Sequence, residues 1–322
     1  MKINLPNSAF LGNLDAFLRG FNPANPDTLE ITAHRSWVSV HPVVLAMIAA
    51  LGSSIDPSKV TCEPFVAASK NYFEQMGLFK FLCVDSGIEI TEHESAGRFV
   101  PLTQIKNSDE LERFLEDMIP LLHLENDSEH AKTIRYIVSE LVRNVLEHAR
   151  SNHGAFLAAQ FHKKSNTIRV GIVDCGVGIR HTIMKAHSAD SDLEALRLAL
   201  TPGITGTTSK EGGTEQNAGA GLFFIKSIAT RNRNFFVIYS GNAMYKLLKR
   251  KDGDTKLFAD PFSDRHSKNG DLPYWQGTVV GIDITLDSTE AFTLLLDLMR
   301  DIYGEAIKER RRLRKHRTPK FI

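Results

Sequence analysis

Cysteine is scarce in this sequence of 322 residues: there are only Cys62, Cys83 and Cys175. Three thiols without metal-site spacing give neither a disulfide framework nor a zinc site. They read as buried thiols, with a reduced cytoplasm as the natural setting. Long apolar runs are lacking too. The longest, Val43 to Leu51, falls well short of the ~20 residues that cross a bilayer, which argues against a membrane protein. The start, Met-Lys-Ile-Asn-Leu-Pro, has no apolar signal-peptide core. Neither charge is in surplus, with 39 basic against 38 acidic residues, and there is no internal repeat or low-complexity tract. What remains is a composition 42% hydrophobic and 24% charged, which excludes a disordered chain or a fibre. The length suits two modest domains.

The charge that is present is unevenly placed. Lys308 to Lys320 holds eight Lys or Arg and one acid, Glu309. Such a tail admits contact with nucleic acid, an acidic partner or a membrane surface. The plainer reading, a solvated basic helix end that complements the helix dipole, is favoured.

Residues 1–100 read as a small α/β unit. Short strands are expected at Leu29–Ala33, Trp37–Val40 and Lys59–Cys62, with a helix opened by Pro42 and running to Leu51. A second helix over Phe65–Met76 ends at Gly77, and Leu78–Val84 returns as a strand. Residues 101–126 form an acidic, amphipathic connecting helical segment. A second unit, 127–288, starts with one long helix from Asp127 or Ser128 to Ala149. Strands follow at Ala155–His162, Thr167–Asp174, Asn234–Ser240 and Gly277–Leu286, and helices at Leu193–Leu200 and Leu222–Thr230. A polar insertion, 243–276, reads as a surface loop. Residues 289–322 close the chain as a helix with the basic tail.

Three patterns in the second unit carry chemistry. In the long helix, Ile134, Ile137, Val138, Leu141, Val142, Val145 and Leu146 make an apolar face. Glu140, Asn144 and His148 step along its flank at i, i+4 and i+8, where a stripe can line a cleft. Polar residues at that spacing are common on helix flanks, but a mid-helix Asn is a mediocre helix former and invites a reason. Next, the apolar strand ending at Asp174 runs into Gly176, Gly178 and Ile179 as Asp-x-Gly-x-Gly-Ile. A strand-end carboxylate can accept a hydrogen bond from an exocyclic amine, and the glycines let backbone approach a flat ligand. Asp-x-Gly also occurs in plain turns. Finally, Gly219, Gly221 and Leu222 open a helix as Gly-x-Gly-Leu, an anion site by its free N–H groups and dipole. No strand ends just before it, so it is not a Rossmann fingerprint, and no P-loop is present.

In this order and spacing the three patterns resemble the ATP site of the GHKL superfamily. That group includes gyrase, mismatch-repair and chaperone ATPases, histidine kinases and anti-sigma-factor serine kinases. The resemblance implies a two-layer α/β sandwich of the Bergerat type binding ATP and Mg²⁺. It places Asn144 as the metal ligand, Glu140 as the group that orients or deprotonates the attacking oxygen, and His148 near the phosphates. Asp174 would bind the adenine amine, with Gly176, Gly178 and Ile179 beside the base. Gly219, Gly221 and Leu222 would cradle phosphate, Thr201 to Ala218 would form a mobile lid, and Thr278 would support Asp174. Phe223 stands where many relatives have a small residue.

The first unit resembles a STAS-like domain through Val38-Ser39-Val40-His41-Pro42 and Tyr72 to Leu78. His41-Pro42 stands where phosphorylatable members carry a Ser, which favours a scaffold or docking role. Two functions stay open: an ATP-dependent switch or ATPase, and a serine/threonine kinase acting on a protein partner. Glu140 serves water or a hydroxyl equally. A non-hydrolysing adaptor is a third reading, against which an intact Glu140 argues. A two-component histidine kinase is disfavoured, since no sensor or dimerising hairpin precedes the site. Relatives often dimerise, so a homodimer is a fair expectation.

Overall fold

Alternation decides the centre of the fold. Along residues 155–162, Phe156 and Ala158 belong to one hydrophobic cluster and Leu157 and Ala159 to another. A strand buried on both faces must divide its side chains this way, because successive ones point to opposite sides. The computed structural model describes residues 1–322 except 37, 64–69, 88–98, 209–218, 251–254, 288–291 and 318–322, with side chains as far as 312.

The first elements are β1 (Lys2–Leu5), β2 (Ser8–Ala9), α1 (Leu14–Arg19), β3 (Leu29–Ala33), β4 (Ser39–Val40), α2 (Pro42–Gly52), β5 (Val60–Cys62), α3 (Lys70–Gln75) and α4 (Leu78–Leu82). β1, β3 and β5 form a parallel sheet in that order, and β2 pairs with β4. Then come β6 (Phe99–Ile105), α5 (Ser108–Leu121), α6 (Glu129–Asn144), β7 (Ala155–His162), β8 (Thr167–Asp174), α7 (Gly178–Ile183), α8 (Asp192–Ala199) and α9 (Gly221–Arg231). The chain continues through β9 (Phe236–Gly241), β10 (Ala243–Leu247), β11 (His266–Asn269), β12 (Trp275–Thr285) and α10 (Phe292–Arg317). Seven strands make one antiparallel sheet in the order β11-β10-β9-β12-β8-β7-β6.

α6 and α9 cover one face of this sheet, and α2 lies against the other. The expected two-layer sandwich thus describes one side only. All eleven residues of α2 are buried, as a helix with no polar stripe requires. His41 caps it, its Nδ1 accepting from the Val43 N–H at 3.1 Å, with Pro42 in the first turn. The helix sits so close to β8 that a Cβ on Gly171 would lie 2.3 Å from the Val43 backbone.

Several expectations are corrected. Leu78–Val84 is not a strand: Leu78, Phe79 and Leu82 are buried with helical spacing, and α4 forms after Gly77, whose φ is 76°. β6 runs across the expected boundary at residue 100 and pairs with β7, so the connecting segment begins inside the large sheet. The insertion 243–276 is not simply a surface loop. It supplies β10, fully buried, and β11. Lys246 disguised β10 as polar; its ammonium pairs with the Asp15 carboxylate, while its stem packs inside. Of the helix expected over Phe65–Met76, residues 65–69 lie outside the described residues, as does Trp37 of the second strand.

Candidate functional site

The apolar stripe of α6 enters the core and leaves Glu140 and Asn144 half-buried on its flank. Ser128 caps the helix, its Oγ accepting from the Ala131 N–H at 3.2 Å. After Asn144 the helix widens into a π turn, Val145–Ala149, and Arg150 ends it with φ 50°. Such turns are frequent at functional sites. The turn carries His148 and aims the Ala149 carbonyl at the next loop, where it accepts from the Val177 N–H at 2.7 Å. A Cβ on Gly176 would lie 2.0 Å from that carbonyl oxygen, so only glycine lets helix and loop meet.

Asp174 ends β8 opposite Thr278 on β12 and is 2% exposed. Its Oδ1 accepts from the Gly176 N–H at 2.7 Å, and Thr278 donates to the carboxylate through both its hydroxyl and its N–H. Burial still dominates and pushes the carboxyl up to about 6. Trp275 Nε1 donates to the Asp174 carbonyl at 3.1 Å, and the Gln276 amide donates to the Gly176 carbonyl. Gly178, with φ 79°, opens α7. The N–H of Ile179 donates to Ser240 Oγ at 3.0 Å, and that hydroxyl donates to the Gly277 carbonyl at 2.6 Å. The strand end is held from three sides.

At the third pattern, Gly219 has φ 65°, and a Cβ there would meet the Ile204 carbonyl oxygen at 2.4 Å. Gly221 begins α9, whose N-cap, Ala220, makes no side-chain capping bond. First-turn N–H groups without a capping side chain suit an anion. Glu140 lies beside this turn, its Oε2 2.3 Å from where a Cβ on Gly221 would be. Burial raises the Glu140 carboxyl above its ordinary range, Arg143 opposing and Glu147 adding to the rise.

One cavity of about 360 Å³ joins these pieces, a volume suited to a small-molecule ligand. Glu140, Asn144, His148, Asp174, Gly178, Ile179, Gly219, Gly221, Leu222 and Thr278 all line it, and Gly176 does not. Gly176 sits behind the lining, shaping the loop. Tyr136 also lines the cavity. It continues the α6 stripe at i−4 from Glu140, but an aromatic at that spacing reads as core. Arg143, Glu147 and Thr182 line it as well, and none lies in a motif that could have marked it; Thr205, from the expected lid, also lines it. Of the lid segment, residues 209–218 lie outside the described residues. Among the described residues, no group of three or more His, Cys, Asp or Glu could hold a metal ion. A Mg²⁺ held by one Asn oxygen, ligand phosphates and water is of a different kind, and Asn144 suits it.

Among the described residues, no helix is long and apolar enough to cross a membrane. The chain has no match among curated proteins. Residues 107–233, from the N-cap of α5 past the end of α9, match the family described as the histidine kinase-like ATPase domain, and that match supports an ATP-binding domain of the GHKL superfamily over this stretch of the chain.

Proposed function

We propose that the cavity binds Mg-ATP and that the protein is a cytoplasmic ATP-dependent switch with ATPase activity, acting on a protein partner in a regulatory system. The observation that carries this reading is the shared cavity: it joins a buried carboxylate, fixed by Thr278 and Gly176, to the start of α9, where Ala220 supplies no capping side chain. Asp174 accepts from the adenine amine, a contact that guanine, with a carbonyl in that place, does not offer. Gly178 and Ile179 flank the base, with Gly176 behind them giving the loop its shape. Gly219, Gly221 and Leu222 present N–H groups to phosphate, with His148 close by. Asn144 is the protein ligand for Mg²⁺, which when bound offsets the charge on the phosphate oxygens. Glu140, whose carboxyl burial raises above its ordinary range, orients the attacking oxygen and is placed to take its proton.

The attacking oxygen belongs to water in an ATPase and to a Ser or Thr of the partner in a kinase, and Glu140 serves both. The N-terminal unit is read as a scaffold. His41 caps α2 and is 0% exposed, so the position a phosphoacceptor would need is closed to a second active site.

Calorimetric titration of the purified protein with ATP and Mg²⁺, beside Asp174→Asn, tests the reading. Binding by the wild type and its loss in Asp174→Asn is the expected result. Absence of ATP binding in the wild type removes the proposal. Binding without phosphate release directs the search to a protein acceptor or to a switch that does not hydrolyse.

A further inference from the structure

α10 lies outside the three cavity motifs read from the sequence, yet it reaches the glycine loop. Its N-terminal end packs beside the cavity wall. The Phe292 N–H donates to the Glu129 carboxylate at 2.6 Å, and the Phe292 ring lies 5.5 Å from that of Tyr136. Further along, the Tyr303 ring meets Phe224 of α9 edge-on at 6.5 Å. The helix then touches the chain again at Pro202 and Gly203. The Arg310 guanidinium donates to the Pro202 carbonyl. A Cβ on Gly203, whose φ is 76°, would lie 3.0 Å from Arg310 Nη2 and 3.0 Å from Ile307. The Gly203 N–H in turn donates to the Gly219 carbonyl at 3.0 Å. Gly219 lines the cavity.

We infer that Arg310 is a positioning residue for the glycine loop, acting through Pro202, Gly203 and the backbone bond to Gly219. The inference rests on the ATP reading above. Glycines lose more conformational freedom on ordering than any other residue. Gly219, without a side chain, contributes no packing of its own. A tether from outside, acting on its carbonyl, lowers the cost of holding its N–H where a phosphate can accept from it. Arginine suits the task because a planar, charged donor fixes direction as well as distance, whereas a lysine ammonium fixes only a point. Gly203 completes the device: a Cβ there would crowd Arg310 and Ile307, and its φ of 76° strains any side chain.

Titration calorimetry on the full chain with two probes, Mg-ATP and adenosine, separates positioning from general support. Adenosine has no phosphate, so a loosened glycine loop leaves its affinity alone. Arg310→Ala is expected to weaken Mg-ATP by about tenfold and adenosine by less than about twofold. Arg310→Lys recovers part of the loss. Gly203→Ala, which attacks the contact from the other side, reproduces the selective defect and does not depend on the Arg310 variants folding. Equal losses for both probes, or undiminished Mg-ATP binding in Arg310→Ala and Gly203→Ala, overturn the inference while the ATP reading stands. A wild-type protein that binds neither probe overturns both.

Discussion

Glu140 and Gly221 compete for one space: the carboxylate oxygen Oε2 lies 2.3 Å from the position a Cβ on Gly221 would take. A methyl on the first residue of α9 would therefore meet a carboxylate on α6. Neither helix can be understood alone at this point.

Gly221→Ala is expected to displace Glu140 and lower phosphate release by about 100-fold, the range of a lost general base. Glu140→Gln should do the same while still binding Mg-ATP. Steady-state phosphate release and equilibrium binding, measured side by side, check both. Release at the wild-type rate in Gly221→Ala would show that the contact has no part in turnover.

Asp174 sets opposite pH trends for stability and binding. Its carboxyl is raised to about 6 by burial, against ~3.9 unfolded, so the folded state holds the proton more tightly. The stability it contributes is fully present below the unfolded value and is lost as pH rises through 6, roughly 3 kcal/mol in all. This group thus makes the ligand-free protein more stable on going from about pH 7 to 5, a trend that Asp174→Asn removes. ATP affinity runs the other way, because the amine needs the carboxylate, and it falls by at most about tenfold per pH unit below 6. Urea unfolding and titration across that range read the two trends. A flat stability difference between wild type and Asp174→Asn would contradict the assignment.

Lys226 and Asp264 form a buried ion pair at 2.5 Å with both side chains 0% exposed. The Lys226 ammonium also donates to the Phe258 carbonyl at 2.9 Å, and Tyr245 donates to Asp264. The pair ties the segment before β11 to α9. Lys226→Ala or Asp264→Ala alone should cost about 3–5 kcal/mol, because each leaves a charge buried without its partner. Lys226→Met combined with Asp264→Leu should cost less than either. Denaturant unfolding of the three proteins gives the answer; single losses below about 1 kcal/mol would mean that water reaches the pair.

Two glycine-to-alanine changes should have opposite signs. Gly171→Ala drives a methyl into Val43 of α2 and should destabilise by about 1–3 kcal/mol or more. Gly304, inside α10, has nothing within 4 Å of an added Cβ, so Gly304→Ala should stabilise by about 0.5–1 kcal/mol. Urea midpoints distinguish them, and a stable Gly171→Ala would require α2 to shift on the sheet.

The sequence made the cavity legible because its chemistry is concentrated in short patterns: Glu140, Asn144 and His148 on one helix, Asp174 with its glycines on one loop, Gly219 and Gly221 on another. Periodicity placed α6, β7, β8 and α9 within a few residues. Tyr136 stayed hidden because core and cavity wall ask the same thing of an aromatic. β10 stayed hidden because Lys246 looks polar in a list of residues and becomes internal only when Asp15, far away in the chain, meets it. Leu78–Val84 reads as a strand because so short a segment cannot separate a period of two from one of 3.6. The π turn after Asn144 has no residue pattern of its own; it answers to the loop at Gly176 that presses on it.

The fully enclosed α2 has a consequence for inheritance. A helix without a face for water cannot travel as a cassette. Its neighbours on both sides, the parallel sheet below and β8 above, would each be left with a bare apolar surface. Exchange of the first hundred residues between chains of this design must therefore preserve a helix whose backbone comes into close contact with glycine, at Val43 against Gly171. The nucleotide domain and the segment before it change together or not at all.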